Sequence, residues 1–335
     1  MTTIPLIYDT DGGVDDYSGL WYALVSPLLD PVAVTGVKGV VSADQTARNV
    51  AKVLMAADRR DVPFAVGAEE PLGPFPELPP GTLMHGEDGL GNTNRPDVDL
   101  EPTGEDAADL IIRLCRDRPG EITVVAVGPF TNVALALRRE PALPELVHEL
   151  VIMGGVARPP GNATALGEFN VVCDPVAAAE MVVAPWARVP RMVGLDVTLT
   201  ATMGEDEFAV LYERRTPQAE FMAEPFVTYR QTSEIESEVG CASHDTLTMM
   251  AVAKPDLLEY EELPVVVDTA EGAAWGTTVV DFRARWLSQG KVPAEFLDLA
   301  EQQFYGGKGR WRVALGADLE SVRAEFRSFY AGTLT

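Results

Sequence analysis

The sequence repeatedly places an apolar, strand-like run directly before a segment with helical periodicity. The strand-like runs lie at 4–8, 32–41, 62–66, 122–127, 150–153 and 189–194. The helical segments lie at 15–25, 43–57, 105–116, 132–139, 175–183 and 246–253. Several of the runs are apolar throughout, as strands of a parallel sheet covered on both faces are. This order predicts a Rossmann-like α/β fold with an open, doubly wound, mostly parallel sheet flanked by helices. Such sheets bind ligands beyond the carboxyl ends of their strands.

Length, charge and cysteine usage restrict the class of protein. We expect one domain over 1–335, because the pattern continues across a Pro- and Gly-rich stretch at 70–81 that predicts a surface loop. A formal charge of -25 argues against nucleic acid as a partner, since phosphates are bound by basic residues. No apolar run reaches the ~18 residues of a membrane helix, and the N-terminus lacks a signal-peptide pattern. Three cysteines without CxxC spacing argue against disulfides and zinc, so we expect a cytoplasmic protein.

Four carboxylates crowd the loop that follows the first strand, at Asp9, Asp11, Asp15 and Asp16. Like charges this close repel one another. Helix capping accounts for one or two of them, because acidic groups complement the dipole at a helix N-terminus. The loop lacks the Gly and Glu positions of an EF-hand. Several oxygen ligands in one turn suit a hard cation, Ca²⁺ or Mg²⁺, and the loop therefore predicts a metal site.

Polar groups also follow later strands. In the turn after the fourth strand, Val127 could offer only its carbonyl oxygen. Beyond Met153, at the end of the next strand, Asn162, Glu168 and Asn170 supply amide and carboxylate groups suited to sugar hydroxyls. A polar surface loop has the same composition, so this stretch alone does not distinguish the two.

Two of the three histidines lie in Gly- or Asp-rich loops. His85 stands in His-Gly-Glu-Asp-Gly-Leu-Gly-Asn, and His244 stands directly before Asp245 at the start of a helical run. A His-Asp pair there is often only a helix cap. An imidazole that titrates near neutral pH is also a common acid or base, which favours a functional interpretation.

These motifs together resemble those of the nucleoside hydrolases, the inosine-uridine-preferring N-ribohydrolase family. The family's signature, Asp-Thr-Asp-x-Gly-x-Asp-Asp, stands at 9–16. The match runs in order to about Arg283, with a weaker one over 313–329. The resemblance implies the nucleoside hydrolase fold. It also implies Ca²⁺-dependent hydrolysis of the N-glycosidic bond of purine and/or pyrimidine ribonucleosides to ribose and free base.

The resemblance also assigns roles to the residues singled out above. It implies that Ca²⁺ is held by Asp11, Asp16, the carbonyl of Val127 and Asp245. It implies that the ribose is bound by Asp15, Asn162, Glu168 and Asn170, with Met153 lining that pocket, and that His85 and His244 face the base. Glycosidic cleavage needs an activated water and a protonated leaving group. We expect Asp11 to be the general base and His244 the general acid, with Asp9 fixing the loop or Asp11.

The sequence departs from the family pattern at two places. Gly12 stands where the family usually has Pro, which gives this loop more backbone freedom. The stretch between Met153 and Asn162 is one residue longer than the family pattern.

Three other functions remain open from the sequence. A haloacid dehalogenase-type phosphatase also begins with Asp-x-Asp after its first strand, but continues with Gly-Thr where this chain has Gly13-Val14. A non-catalytic sugar or nucleoside receptor would bind without turnover, and Asp11 argues against it. A hydrolase of another ribosylated compound would share the ribose and metal residues. The motifs contain no Lys or Arg to bind a phosphate, so we expect a nucleoside rather than a nucleotide as substrate. We also expect the protein to form a homodimer or homotetramer.

The segment 208–238 is expected to be helical and to cover the base pocket with some of its aromatic residues, although helix packing accounts for them equally well. These aromatic residues are Tyr212, Phe221, Phe226 and Tyr229.

Overall fold

A computed structural model describes residues 3–74, 81–158, 160–213, 215–237, 240–283, 285–286, 289–296, 298–299 and 309–333. Its strands are β1 (Ile4–Thr10), β2 (Leu29–Gly36), β3 (Phe64–Val66), β4 (Thr123–Ala126), β5 (Glu149–Met153), β6 (Arg191–Val193), β7 (Leu258–Val267), β8 (Thr278–Val280) and β9 (Arg310–Ala317). Its helices are α1 (Val14–Val25), α2 (Ala43–Ala56), α3 (Thr82–His85), α4 (Ala107–Asp117), α5 (Thr131–Arg139), α6 (Leu143–Leu146), α7 (Phe169–Cys173), α8 (Pro175–Val182), α9 (Leu195–Thr198), α10 (Glu205–Glu213), α11 (Pro217–Ser237), α12 (His244–Ala253) and α13 (Leu319–Thr333). Residues 75–80 of the predicted loop, and residues 214 and 238 of the predicted aromatic segment, lie outside the described residues.

Within the described ranges, the strands form one sheet in the order β3-β2-β1-β4-β5-β6-β9-β7-β8. β1 to β6 and β9 run parallel, whereas β7 is antiparallel to both β9 and β8. The predicted doubly wound, mostly parallel sheet is confirmed, and the antiparallel β7–β8 edge is an addition that the sequence pattern did not predict. The strand order reverses between β1 and β4, and such a reversal is where open α/β sheets bind ligands. The acidic loop leaves β1 at this point.

Alternate residues of the central strands enter two separate cores. Leu6 and Tyr8 of β1 join the core beneath α1, α2 and α12, whereas Ile7 joins the core beneath α4, α5 and α8. In β4, Val125 and Ala126 are divided between the two cores in the same way. This period of two explains why the central strands read as continuous apolar runs, because both faces of the sheet are covered.

The second strand-like run is divided between a strand and a loop. β2 ends at Gly36, and 37–42 turn back toward the end of β1. The N–H of Val37 donates to the carbonyl oxygen of Thr10 at 2.9 Å, and the N–H of Val40 donates to Asp11 Oδ2 at 2.8 Å. The prediction of a strand to residue 41 is therefore wrong for 37–41, because this part of the run contacts the acidic loop instead of extending the sheet.

Two further observations concern the described part of the chain. No helix there is both long enough and apolar enough to span a bilayer. Cys115, Cys173 and Cys241 are buried, free thiols.

Candidate active site

The acidic loop is folded around the carboxylate of Asp16. Its Oδ1 accepts hydrogen bonds from the hydroxyl of Thr10 at 2.5 Å and from the N–H of Asp11 at 3.1 Å. Its Oδ2 accepts from the N–H of Gly13 at 3.1 Å, and Gly13 directly precedes α1. Asp16 therefore caps α1, as one of the four carboxylates was expected to do. Gly12 allows the turn because its φ of +84° lies in the left-handed region.

Asp9 lies beneath the loop rather than in the pocket above it. Its Oδ1 accepts hydrogen bonds from the hydroxyl of Thr35 at 2.6 Å and from the amide of Asn132 at 2.7 Å. Its Oδ2 is buried without a hydrogen-bond partner. Burial raises the pKa of Asp9 to about 7, although the bonds from Asn132 and Thr35 act in the opposite direction. Asp9 thus anchors the end of β1 to its neighbouring strand and helix.

Carboxylates from two distant parts of the chain meet above this loop. Oxygen atoms of Asp15, Asp16 and Asp245 lie within 4.8 Å of one another, and all three residues are buried. Burial and the charge of Asp16 raise the pKa of Asp11. Burial and the charges of Asp15 and Asp16 raise the pKa of Asp245. Several like charges in one buried site are unfavourable unless a cation compensates them.

One atom of this cluster shows most directly that the site fits a cation. Asp245 Oδ1 is buried and has no hydrogen-bond partner among the residues that the structure describes, and a buried unpaired carboxylate oxygen is strongly unfavourable. The atoms that this cluster offers to a metal are all carboxylate oxygens, which hard cations such as Ca²⁺ prefer as ligands. The resemblance assigned Asp11 and Asp16 to the metal and Asp15 to the ribose. Among the described residues, the group whose oxygen atoms lie within 4.8 Å of one another contains Asp15 in addition to Asp16 and Asp245, while Asp11 lines the same pocket.

The ends of β4 and β5 are joined by one amide side chain. Asn170 Nδ2 donates to the carbonyl oxygen of Val127 at 2.7 Å and to that of Met153 at 3.1 Å. Val127 lines the pocket, and one acceptor position of its carbonyl oxygen is taken by Asn170. A carbonyl oxygen has two lone pairs, so a second donor or a cation can still be bound.

Glu168 is held by backbone donors at the start of α7. Its Oε1 accepts from the N–H of Asn170 at 2.9 Å, and its Oε2 accepts from the N–H of Gly155 at 2.8 Å. Burial raises the pKa of Glu168 to about 7, against the lowering effect of these backbone bonds. Asn162 lies at the more exposed rim, where its Oδ1 accepts from the N–H of Phe169 at 2.9 Å.

The two histidines differ in their Nδ1 partners. His85 Nδ1 accepts a hydrogen bond from the N–H of Val14 at 3.0 Å and lies 3.7 Å from Asp15 Oδ1. His244 Nδ1 lies 2.8 Å from the hydroxyl oxygen of Thr198, and the N–H of His244 donates to Asp15 Oδ2 at 3.1 Å. Since a backbone N–H only donates, the proton of the His85 ring resides on Nε2.

A single pocket brings these groups together. Of the residues predicted for the site, it is lined by Asp11, Asp15, Asp16, His85, Val127, Met153, Asn162, Glu168, Asn170, His244 and Asp245. Only Asp9 lies outside this lining, in the supporting position described above. The pocket-lining residues that the sequence motifs did not single out are Val40, Gly81, Leu83, Met84, Ala163 and Phe169. They lie beside Gly-rich loops, and nothing in their residue types distinguishes them from core residues.

The aromatic residues of the predicted helical segment divide between pocket and core. Tyr229 of α11 lines the pocket, and its ring centroid lies 5.0 Å from that of His85. Phe221 and Phe226 are buried against Tyr17, with centroid distances of 6.0 and 6.3 Å. Tyr229 therefore lies at the pocket, whereas Phe221 and Phe226 pack within the core.

Comparison with known proteins agrees with this geometry. The family model described as inosine-uridine preferring nucleoside hydrolase matches residues 6–320. Uridine nucleosidase 1 of Arabidopsis thaliana is 32% identical over 278 residues, covering 82% of this chain and 81% of the relative. Pyrimidine-specific ribonucleoside hydrolase RihA of Salmonella newport (strain SL254) is 36% identical over 281 residues, covering 83% and 89%. The solved structure of a purine-preferring ribonucleoside hydrolase from Gardnerella vaginalis has a TM-score of 0.86 at 28% identity, covering 98% of this chain and 99% of that one. The chain belongs to the inosine-uridine preferring nucleoside hydrolase family, whose members are N-glycosyl hydrolases.

Proposed function

We propose that this enzyme hydrolyses the N-glycosidic bond of purine and pyrimidine ribonucleosides and that it requires Ca²⁺. The observation that carries the proposal is the unpaired Asp245 Oδ1 in a buried carboxylate cluster, on the wall of a pocket that also holds amide, carboxylate and imidazole groups. The acids fit a divalent cation, and the other polar groups fit a sugar with a heterocyclic leaving group.

The proposed ligands of Ca²⁺ are Asp11, Asp16, the carbonyl oxygen of Val127 and Asp245. Asp15 is close enough to contribute through its charge, while the N–H of His244 binds its Oδ2. When bound, the cation supplies positive charge that holds ribose hydroxyls and makes a water more acidic. Asp11 is the general base that takes the proton of the attacking water.

The proposed ribose contacts are Asp15, Asn162, Glu168 and Asn170, with Met153 beneath the sugar. These residues come from α1, from the rim loop and from α7, so they approach the pocket from different sides. Their carboxylates also favour the positive charge that develops on the sugar ring as the glycosidic bond breaks. Backbone bonds hold Glu168 rigidly, which is the preorganisation that such stabilisation needs.

His244 and His85 are proposed to face the leaving base in different roles. His244 is the general acid, because its Nδ1 partner is a hydroxyl that can accept or donate. His85 is held with Nδ1 as an acceptor, so it serves as a hydrogen-bond donor through Nε2. Tyr229 lies beside His85 and is well placed to contact the base.

The charge of the pocket favours nucleosides over phosphorylated substrates. Among the described residues that line it are five carboxylates and two histidines, and none is Lys or Arg. A phosphate group would be repelled by these negative charges, and no positively charged Lys or Arg side chain in this lining would compensate for them. This supports a nucleoside hydrolase over the phosphatase alternative. A hydrolase of another ribosylated compound remains the second candidate, since the ribose and metal groups would serve it equally well.

Base preference, assembly and location are proposed on separate grounds. One relative is named pyrimidine-specific and one similar structure purine-preferring, so the proposal covers both base classes. We also propose a homodimer or homotetramer, on the resemblance to the family, and a cytoplasmic location, on the character of the sequence.

A substrate panel tests the proposal. Uridine, cytidine, inosine and adenosine, their 2′-deoxy forms, and p-nitrophenyl phosphate would be compared by kcat/KM. A site built to bind hydroxyls rejects substrates that lack one by on the order of 10⁴-fold, so at least one ribonucleoside should be cleaved far faster than its deoxy form. Comparable values for the two forms, or turnover of the phosphate ester alone, would refute the proposal.

A further inference from the structure

Thr198 is a buried polar residue that the roles assigned so far do not use. It is the last residue of α9, which begins just after β6, and its side chain is 1% exposed. Its hydroxyl oxygen lies 2.8 Å from His244 Nδ1. It is not among the residues that line the pocket, whereas His244 is.

We propose that Thr198 is a positioning residue, which turns the imidazole of His244 so that Nε2 faces the leaving base. The inference rests on the proposed function, in which His244 protonates that base. Thr198 itself neither binds substrate nor exchanges a proton with it.

The hydrogen bond of its N–H fixes the backbone of His244 but does not set the orientation of its ring. His244 is the first residue of α12, and its N–H is bound by Asp15 Oδ2 at 3.1 Å. Rotation about the side-chain bonds would still move the ring nitrogens by several ångströms. The bond from Nδ1 to Thr198 selects one orientation of the ring. Because His244 lines the pocket and Thr198 does not, the opposite edge of the ring, which carries Nε2, is the edge turned toward the pocket.

Thr198 is itself rigidly placed. Its N–H donates to the carbonyl oxygen of Gly194 at 3.2 Å, within the turn that follows β6. A β-branched side chain has few accessible χ1 rotamers, and in this structure the hydroxyl points at His244 Nδ1. The orientation of the His244 ring is thus fixed relative to β6, a strand that carries none of the proposed metal ligands.

The hydroxyl also suits a partner that changes its protonation state. An imidazolium that gives up the proton of Nε2 keeps the proton on Nδ1, so the Thr198 hydroxyl oxygen accepts from Nδ1–H both before and after the transfer. The N–H of Val14 beside His85 can only donate. The two histidines of the pocket therefore have partners that match an acid in one case and a fixed donor in the other.

Thr198→Val and Thr198→Ser separate this role from a structural one. The valine keeps the branched shape and removes the hydroxyl, and the serine keeps the hydroxyl. Thr200→Val is the matched control, because the Thr200 hydroxyl is exposed and contacts only carbonyl oxygens of its own turn, at 3.1 and 3.5 Å. All variants would be assayed with Ca²⁺ on the best natural ribonucleoside and on p-nitrophenyl riboside, whose leaving group departs without protonation.

Thr198→Val should lower kcat on the natural nucleoside by roughly ten- to a hundredfold, the effect of losing one hydrogen bond to a charged group. It should leave KM and the rate on p-nitrophenyl riboside nearly unchanged. Thr198→Ser should recover most of the rate, and Thr200→Val should match the wild type. Should the valine variant not fold, Thr198→Ala compared with Thr198→Ser tests the same hydroxyl.

Equal losses on both substrates, or no loss on either, would overturn the role of Thr198. His244→Ala assayed in parallel separates this failure from that of the proposed function. If His244→Ala is selective for the natural nucleoside and Thr198→Val is not, the positioning role is wrong while the acid assignment stands. If His244→Ala affects both substrates equally, the acid assignment is wrong and the role of Thr198 with it.

Discussion

Gly39 is the glycine at which a substitution by alanine, the smallest side chain, should disturb the site most. A Cβ atom on Gly39 would lie 1.9 Å from Asp11 Oδ2 and 2.7 Å from Asp11 Cγ. Real Cβ atoms essentially never approach another heavy atom closer than 3.0 Å. Gly39→Ala therefore has to displace the Asp11 carboxylate, or the loop at 37–42, by roughly 1 Å. The hydrogen bond from the N–H of Val40 to Asp11 Oδ2 would be lost in either case.

The expected consequence is a loss of turnover rather than a loss of fold. A misplacement of about 1 Å in catalytic geometry can reduce a rate on the order of 10²-fold, and general base catalysis contributes ~10²–10⁴-fold. We therefore expect Gly39→Ala to lower kcat by about 10²-fold or more. Gly39 is not among the residues with positive φ, so alanine can adopt its backbone conformation.

Initial rates of ribose release from uridine and inosine check this prediction, with circular dichroism and thermal unfolding to confirm that the variant folds. Gly332→Ala is the matched control, because a Cβ atom there meets nothing within 4 Å. A folded Gly39→Ala enzyme with wild-type turnover would refute the placement of Asp11, and with it the reasoning that makes Asp11 the base.

Three further predictions concern the support of the site. Burial raises the pKa of Glu168 from 4.5 to about 7, so between these values the folded state keeps a proton that the unfolded state has lost, and stability falls as pH rises. The free energy of unfolding of the wild type, measured by urea titration, should therefore fall by up to about 3 kcal/mol more than that of Glu168→Gln between pH 4.5 and 8. Equal falls in the two proteins would contradict this. Asn49 donates to the carbonyl oxygens of Gly12 and Asp88, at 3.0 and 2.9 Å; Asn49→Ala should therefore cost about 1–3 kcal/mol by urea unfolding and raise KM, whereas an unchanged midpoint would speak against this link between loops. Gly12→Pro should lower stability by more than about 1 kcal/mol in thermal unfolding, because proline cannot adopt a φ of +84°, and a neutral effect would mean that the loop has another conformation.

The fold could be predicted because both faces of the central sheet are covered. Continuous apolar runs such as the one over β4, each followed by helical periodicity, are typical of parallel α/β sheets and of few other architectures. The antiparallel β7 and β8 were not predicted, since a strand at an edge, part polar and part exposed, lacks that signal. The end of β2 was misplaced because residues 37–41 remain apolar, while their contacts with the acidic loop are long-range.

The predicted site residues come from motifs at strand ends, where the topology brings them together. Asp9, Asp11 and Asp16 stand out because four carboxylates in one loop are unusual without a cation. The apolar wall, including Leu83 and Phe169, could not be predicted, since its residues are of the types that also fill the core. The role of Thr198 could not be predicted either, because it depends on a contact between residues 46 positions apart in the chain.

Calcium reconstitution tests the central claim most directly. Enzyme dialysed exhaustively against a chelator, and shown to be free of metal by elemental analysis, would be assayed on uridine and inosine before and after addition of Ca²⁺. Asp245→Asn replaces the unpaired carboxylate of the cluster with a neutral amide. This variant would be titrated with Ca²⁺ by calorimetry beside the wild type. We predict almost no turnover without metal, recovery with one equivalent of Ca²⁺, and weaker Ca²⁺ binding by Asp245→Asn. Full activity of the verified metal-free enzyme would contradict the account.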